Sequence, residues 1–221
     1  MPPQLRVNVP AHPLIRHWLG VARDAATPTS LFRSAMSELG RWLTYEAMRD
    51  EMVRPWLPTV EAEVETPLAP CPATFINPTI PVAVVPILRA GLALLDGAQA
   101  LLPLSSVYHI GFARDEATLD ATCYLNKLPD RFDPETRVLI PEPMLATGGT
   151  MMATMTALTQ RGINPAMTRI IAVVTAPPAL QKLAAAYPEL SIYAAAIDEG
   201  LNSHGFIVPG LGDAGDRTFG T

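Results

Sequence analysis

VLIPEPMLATGGTMMATMTALTQ, residues 138–160, reads as a strand, a loop and a helix in direct succession. Val138, Leu139 and Ile140 form a short apolar run of the buried-strand type. Pro141, Glu142 and Pro143 end it, because proline cannot donate to a β-ladder. Met144, Leu145, Ala146, Thr147, Gly148, Gly149 and Thr150 then lead into a helical pattern rich in methionine and threonine. A small-residue loop that opens a helix suits an anion. Glycines let backbone N–H groups come close, and the first helical turn carries unpaired donors and the positive end of the dipole. Thr147 and Thr150 can add hydroxyl donors, and Glu142 can hold the hydroxyls of a sugar attached to the anion. This combination points to a ribose 5-phosphate site, although the same loop by itself also serves as a plain strand-to-helix turn. No strand of this pattern runs into G-x-G-x-x-G, and G-x-x-x-x-G-K-[ST] does not occur, which weighs against dinucleotide and P-loop readings.

The alternation extends to both sides. VAVVPIL (82–88) reads as a buried strand, AGLALLDGAQALL (90–102) as a helix and SVYHIGF (106–112) as a second strand. RVLIP (137–141) is a third, RIIAVVTA (169–176) a fourth, PPALQKLAAAYP (177–188) a helix and LSIYAAAI (190–197) a fifth strand. Strands alternating with helices predict an α/β fold with a parallel sheet covered on both faces. Ligands of such sheets bind at the carboxyl ends of the strands. Those ends carry Arg89, Arg114, the stretch from Glu142 to Thr150, and Asp198 with Glu199.

Residues 12–54 predict a helical segment, with Leu31, Phe32, Ala35, Leu39, Trp42, Leu43 and Ala47 on one face and Ser30 as N-cap. Between 55 and 81 prolines cluster. VEAEVETPL (60–68) reads as an alternating edge strand, and Pro70, Pro72, Pro78 and Pro81 mark an irregular excursion. The polar segment 113–133 interrupts the alternation and reads as a β-ribbon or a flap beside the site. The glycine-rich tail from Gly205 to Thr221 carries Phe206, Ile207, Val208, Leu211 and Phe219. It is too apolar for a linker and reads as an ordered loop whose backbone approaches a ligand.

The chain has 221 residues, 49% of them hydrophobic and 17% charged, which suits one well-packed domain spanning 1–221. A formal charge of −5 argues against a general nucleic-acid binder, but not against a small anionic substrate met by a few arginines. Cys71 and Cys123 are too few and too far apart for a disulfide framework, and the four histidines show no zinc spacing. No signal-peptide core opens the chain and no apolar run is long enough to span a membrane, so the cytoplasm is the expected compartment.

Taken together, the motifs HPLI (12–15), TYEAMRD (44–50), VETPL (64–68), VPILRAGL (85–92), HIGFARDE (109–116), PMLATGG (143–149) and AAIDEGLNSHGFIVPGLGDAGDRTFGT (195–221) resemble the uracil phosphoribosyltransferases. The match runs over almost the whole chain, and the long tail separates this family from other phosphoribosyltransferases. The resemblance implies a type I phosphoribosyltransferase-like parallel sheet flanked by helices. It also implies conversion of uracil and 5-phosphoribosyl 1-diphosphate to UMP and diphosphate, with Mg²⁺ as cofactor, in pyrimidine salvage. On this pattern the loop from Pro143 to Thr150 cradles the 5′-phosphate, with Thr147, Gly148 and Gly149 closest. Arg89 and Arg114 meet the diphosphate. Asp213 sits beside the diphosphate and its Mg²⁺, through water. The backbone of Ile207, Gly212, Asp213 and Ala214 reads the uracil edge, and the flap closes over the diphosphate. A homodimer or larger assembly is also implied, with Trp42, Tyr45 and Trp56 as interface or core residues.

Simpler roles stand beside these. Arg89 can pair with a carboxylate at a strand end, and Asp216 and Arg217 read as residues that fix the tail. Met151, Met152 and Met155 read as helix packing. Glu142 departs from the family pattern, which has aspartate before PMLATGG. Its extra methylene opens an alternative: a phosphoribosyltransferase-like nucleotide-binding regulator with weak or no catalysis. With the other site residues in place, the active enzyme is the favoured expectation.

Overall fold

The computed structural model describes residues 4–49, 55–114 and 121–221. The chain opens with β1 (Arg6–Asn8), α1 (Pro13–Arg23) and α2 (Thr29–Met48), followed by the strand pair β2 (Thr59–Glu65) and β3 (Pro70–Ile76). Next come β4 (Val82–Val84), β5 (Ile87–Leu88), α3 (Leu92–Leu101), β6 (Ser106–Val107), β7 (Ile110–Arg114) and β8 (Ala121–Asn126). The second half holds β9 (Arg137–Pro141), β10 (Met144–Leu145), α4 (Gly149–Thr159), β11 (Thr168–Thr175), α5 (Pro177–Ala186) and β12 (Ser191–Ile197). The tail forms β13 (Gly200–Leu201), β14 (Ile207–Val208) and α6 (Ala214–Phe219).

The central sheet runs β1-β12-β11-β9-β4-β6, with every pairing parallel, and β10 extends it along the carboxyl end of β11. All eight residues of β11 are buried, as a strand covered on both faces requires. Its side chains alternate between two cores. Ile171 and Val173 face α1, α2 and α3, whereas Ile170 and Ala172 face α4 and α5. Helices α2 and α3 press together unusually closely, because a Cβ at Gly97 would lie 1.9 Å from the Ser37 carbonyl oxygen. Only a residue without a side chain allows that crossing.

Several elements differ from the sequence reading. Pro86 divides the run 82–88: β4 stays in the central sheet, while β5 leaves it to pair with β7 in a small second sheet, β5-β7-β8. The run 106–112 divides likewise into β6 and β7. The proline-rich excursion is partly regular, since β2 and β3 form an antiparallel ribbon. Pro70 and Pro72 face Glu65 and Glu63, whereas the Thr66 N–H bonds to the Ala69 carbonyl one step away. The prolines therefore occupy the positions that exchange no ladder bonds and lose no donor there. Helix α2 begins at Thr29 behind Pro28, so Ser30 is inside the helix and is not its N-cap. Of the expected flap, β7 and β8 form an antiparallel ribbon and residues 115–120 lie outside the described residues. Beyond β8 the chain returns to the core, where Leu128 and Phe132 are buried. Trp56 is a core residue, 4% exposed, with its indole N–H on the Met167 carbonyl at 2.9 Å, while Tyr45 is exposed. Cys71 and Cys123 are both free.

Candidate active site

The strand β9 is buried along its length and delivers the chain to Glu142 at its carboxyl end. Pro143 then offers its carbonyl to the N–H groups of Val173 and Val174, which turns the chain along β11. From β10 it passes through Ala146, Thr147 and Gly148 into α4. Gly148 is the N-cap of α4, with φ of 79° and no side-chain cap. A Cβ there would be strained by that angle and would lie 3.1 Å from the Ala179 Cα. The Gly149 N–H reaches the Thr147 hydroxyl at 3.5 Å, and the following N–H groups of the first turn are left for a ligand.

Facing this loop is the tail. Asn202 accepts from the N–H groups of His204 and Phe206, both at 3.0 Å, closing the tip of the β13–β14 hairpin. Asp213 caps α6 by accepting the Asp216 N–H at 2.9 Å. Loop and tail enclose a cleft of about 310 Å³, lined by Glu142, the chain from Met144 to Met151, the chain from His204 to Ile207, and Asp213. Its volume is at the small end of ligand sites.

Glu142 forms part of the wall and is 8% exposed. Burial is the main force on its carboxyl and pushes it up to about 8 from an ordinary 4.5. The charge of Asp213 acts in the same direction, while a hydrogen bond from the Met144 N–H, 3.4 Å away, opposes both. Glu142 therefore keeps its proton at neutral pH.

The structure thus brings together Glu142, Met144, Leu145, Ala146, Thr147, Gly148, Gly149, Thr150, Ile207 and Asp213. Pro143 lies behind the wall, bonded to β11. Gly212 and Ala214 flank Asp213 but do not line the cleft, and Ala214 is fully buried. Arg89 lies elsewhere, where Asp216 takes its guanidinium at 2.9 Å, Thr221 approaches at 3.3 Å and the Phe219 ring stacks below at 5.8 Å. Arg89 therefore does pair with a carboxylate, but one in the first turn of α6 and not at a strand end. The backbone of Arg114 ends β7, and its side chain lies outside the described residues. Arg217 fixes the tail: it donates to the carbonyls of Ala22, Leu211 and Asp24 and lies 4.2 Å over the Phe32 ring. His204, Gly205, Phe206 and Met151 line the cleft without having been singled out as site residues. Three of them stand in the hairpin tip, where only the Asn202 turn reveals their direction.

The sequence matches the family model described as uracil phosphoribosyltransferase over residues 9–221. It is 68% identical, over 218 residues, to the uracil phosphoribosyltransferase of Nostoc sp. (strain PCC 7120 / SAG 25.82 / UTEX 2576), with 99% of each chain covered. Among solved structures, the AQ2163 protein from Aquifex aeolicus superposes with a TM-score of 0.86 at 34% identity, covering 96% of this chain and 97% of that one. Adenine phosphoribosyl transferase from Trypanosoma brucei, at 13% identity and a TM-score of 0.53 over 88% of this chain and 84% of that one, shares the fold alone. The architecture is the type I phosphoribosyltransferase fold: a parallel sheet flanked by helices, with its cleft at the strands' carboxyl ends. Matched along nearly its whole length, the chain belongs to the uracil phosphoribosyltransferase family.

Proposed function

We propose that this protein transfers the 5-phosphoribosyl group of 5-phosphoribosyl 1-diphosphate to N1 of uracil, releasing UMP and diphosphate. The observation that carries this reading is the cleft itself. An uncapped helix N-terminus with Thr147 and Thr150 forms one wall, and the tail residues Ile207 and Asp213 face it beside a buried acid. Identity of 68% over the full chain to a protein named for this activity supports the catalytic reading over a non-catalytic nucleotide binder.

In the reaction the bond from C1′ to the diphosphate oxygen breaks, the N1–C1′ bond forms and the N1 proton leaves. The 5′-phosphate takes the α4 N-terminus, where backbone donors and the dipole act together. Glu142 meets the ribose hydroxyls. Its neutral carboxyl can donate and accept there. Positive charge building on the ribose ring favours the ionised form, which stabilises that charge in turn. Uracil is a weak nucleophile, so holding N1 against C1′ is worth more than a strong base. The backbone at Ile207 and Asp213, the tail residues of that set which line the cleft, reads the pyrimidine edge. Cytosine would bring its amine to a donor and leave buried groups unpaired.

Arg89 and Arg114 bind the diphosphate. For Arg89 this means leaving Asp216; both side chains are about half exposed, and such a pair holds it by at most about 1 kcal/mol. Among the described residues no three acidic, histidine or cysteine side chains gather into a metal cage. A single exposed carboxylate at the cleft, that of Asp213, suits Mg²⁺, which keeps several waters and binds through one or two carboxylates plus substrate phosphates. Asp213, exposed at the cleft, would hold it through water. Bound there, Mg²⁺ would neutralise charge on the departing diphosphate. A homodimer or larger assembly and a cytoplasmic setting belong to the same proposal. Among the described residues no helix is long and apolar enough to cross a membrane.

Incubation with labelled uracil, 5-phosphoribosyl 1-diphosphate and Mg²⁺ tests the reading. UMP is expected from the native chain and is lost in Arg89→Ala and Asp213→Ala. Absence of UMP from the native chain, with the donor still raising its melting temperature, would favour the nucleotide-binding alternative.

A further inference from the structure

The loop that would read uracil is held from behind by an ion pair that does not line the cleft. Asp198 follows β12 directly, and its side chain is only 4% exposed. Arg23, the last residue of α1, grips it with two bonds, Nη2 to Oδ1 at 2.5 Å and Nη1 to Oδ2 at 3.0 Å. The pair also takes both backbone groups of Gly210. The Gly210 N–H donates to Asp198 Oδ2 at 2.9 Å, and the Gly210 carbonyl accepts from Arg23 Nη1 at 2.9 Å. Gly210 stands midway between Ile207 and Asp213, the nearest cleft-lining residues on either side of it.

An ion pair whose carboxylate is buried and whose arginine is mostly covered is a poor device for stability, because the water lost offsets much of the attraction. It is a good device for position: the planar fork of arginine and the two oxygens of a carboxylate allow few arrangements. Here the two partners bond to the peptide units on either side of the Gly210 Cα, so the pair, with Arg217 on the Leu211 carbonyl, sets the height and rotation of the Ile207–Asp213 loop. A displacement of about 1 Å at a reacting site can cost on the order of a hundredfold.

We propose that Arg23 and Asp198 are positioning residues for the uracil half-site, acting through Gly210, with a smaller effect on the diphosphate through Asp213 at the far end of the same loop and none on the phosphate loop at α4. The inference rests on the reading that the backbone at Ile207 and Asp213 contacts uracil. Asp198→Asn keeps the shape but loses the charge, and Arg23→Lys keeps the charge but loses the fork. Steady-state kinetics of both variants, with each substrate varied in turn and melting temperatures measured alongside, tests it. The KM for uracil is expected to rise about tenfold to a hundredfold. The KM for 5-phosphoribosyl 1-diphosphate is expected to rise severalfold less than that for uracil, with Arg23→Lys the milder of the two. The ratio of UMP to CMP formed from equal uracil and cytosine is expected to fall. Equal losses toward both substrates that follow the melting temperature would show a merely structural pair and overturn the proposal. So would an unchanged uracil KM in both variants while the native chain makes UMP. No UMP from the native chain would instead overturn the assigned reaction, and the positioning role with it.

Discussion

Replacing Glu142 by glutamine isolates the consequence of its burial. The carboxyl is 8% exposed, and burial with the nearby Asp213 charge moves it from an ordinary 4.5 to about 8. Between those two values the folded protein holds a proton that the unfolded chain has released. Stability therefore falls as pH rises through that window, because the unfolded state binds fewer protons than the folded one. The gap of about 3.5 pH units, at about 1.4 kcal/mol each, corresponds to a ceiling of about 5 kcal/mol. Water entering an open cleft lowers this to about 2–4 kcal/mol. Glutamine keeps the shape and the bond from Met144 but cannot ionise. Urea unfolding of both proteins from about pH 5 to about pH 9 gives a stability difference in which all other groups cancel. Glu142→Gln is expected to gain about 2–4 kcal/mol on the native chain across that range, most of it below neutrality and levelling off above about pH 8. Parallel curves for the two proteins would show that Glu142 ionises freely and that its burial does not govern it.

Gly148→Ala forces a side chain into a left-handed φ of 79° and against Ala179. About 1–2 kcal/mol of strain should lower the melting temperature by about 2–8 °C in calorimetry. The KM for 5-phosphoribosyl 1-diphosphate should rise more than that for uracil. Gly97→Ala places a Cβ 1.9 Å from the Ser37 carbonyl and must part α2 from α3. Overpacking of this kind costs about 1–3 kcal/mol, read as a lower urea midpoint. The substrate KM values should be unchanged, since this helix crossing does not line the cleft.

Local patterns in the chain account for much of the fold. The fully buried strands β9 and β11 announce themselves as apolar runs, and α4 and α5 as the helices that follow them. The phosphate-type loop is equally local, since its glycines and threonines lie side by side. What was not legible depends on partners distant in sequence. Arg89 meets Asp216 across 127 residues, and Arg23 meets Asp198 across 175. The acidity of Glu142 depends on burial and on Asp213, neither of which its neighbours in sequence reveal. The run 82–88 looks continuous by hydrophobicity, yet Pro86 lets β5 join a different sheet. Strand β1 is three residues long and mostly exposed, too short for any periodicity. Pro70 and Pro72 look like breakers until their register against β2 places them at the positions without ladder bonds.

The division of the cleft into a phosphate end and a uracil end is best tested by the structure of the protein with UMP bound. The phosphate should lie on the N–H groups of Gly148, Gly149 and Thr150, the ribose hydroxyls should meet Glu142, and the uracil edge should bond to the backbone at Ile207 and its neighbours in the tail. A nucleotide bound with its base at the α4 N-terminus, or outside the cleft altogether, would contradict that division and the chemistry drawn from it.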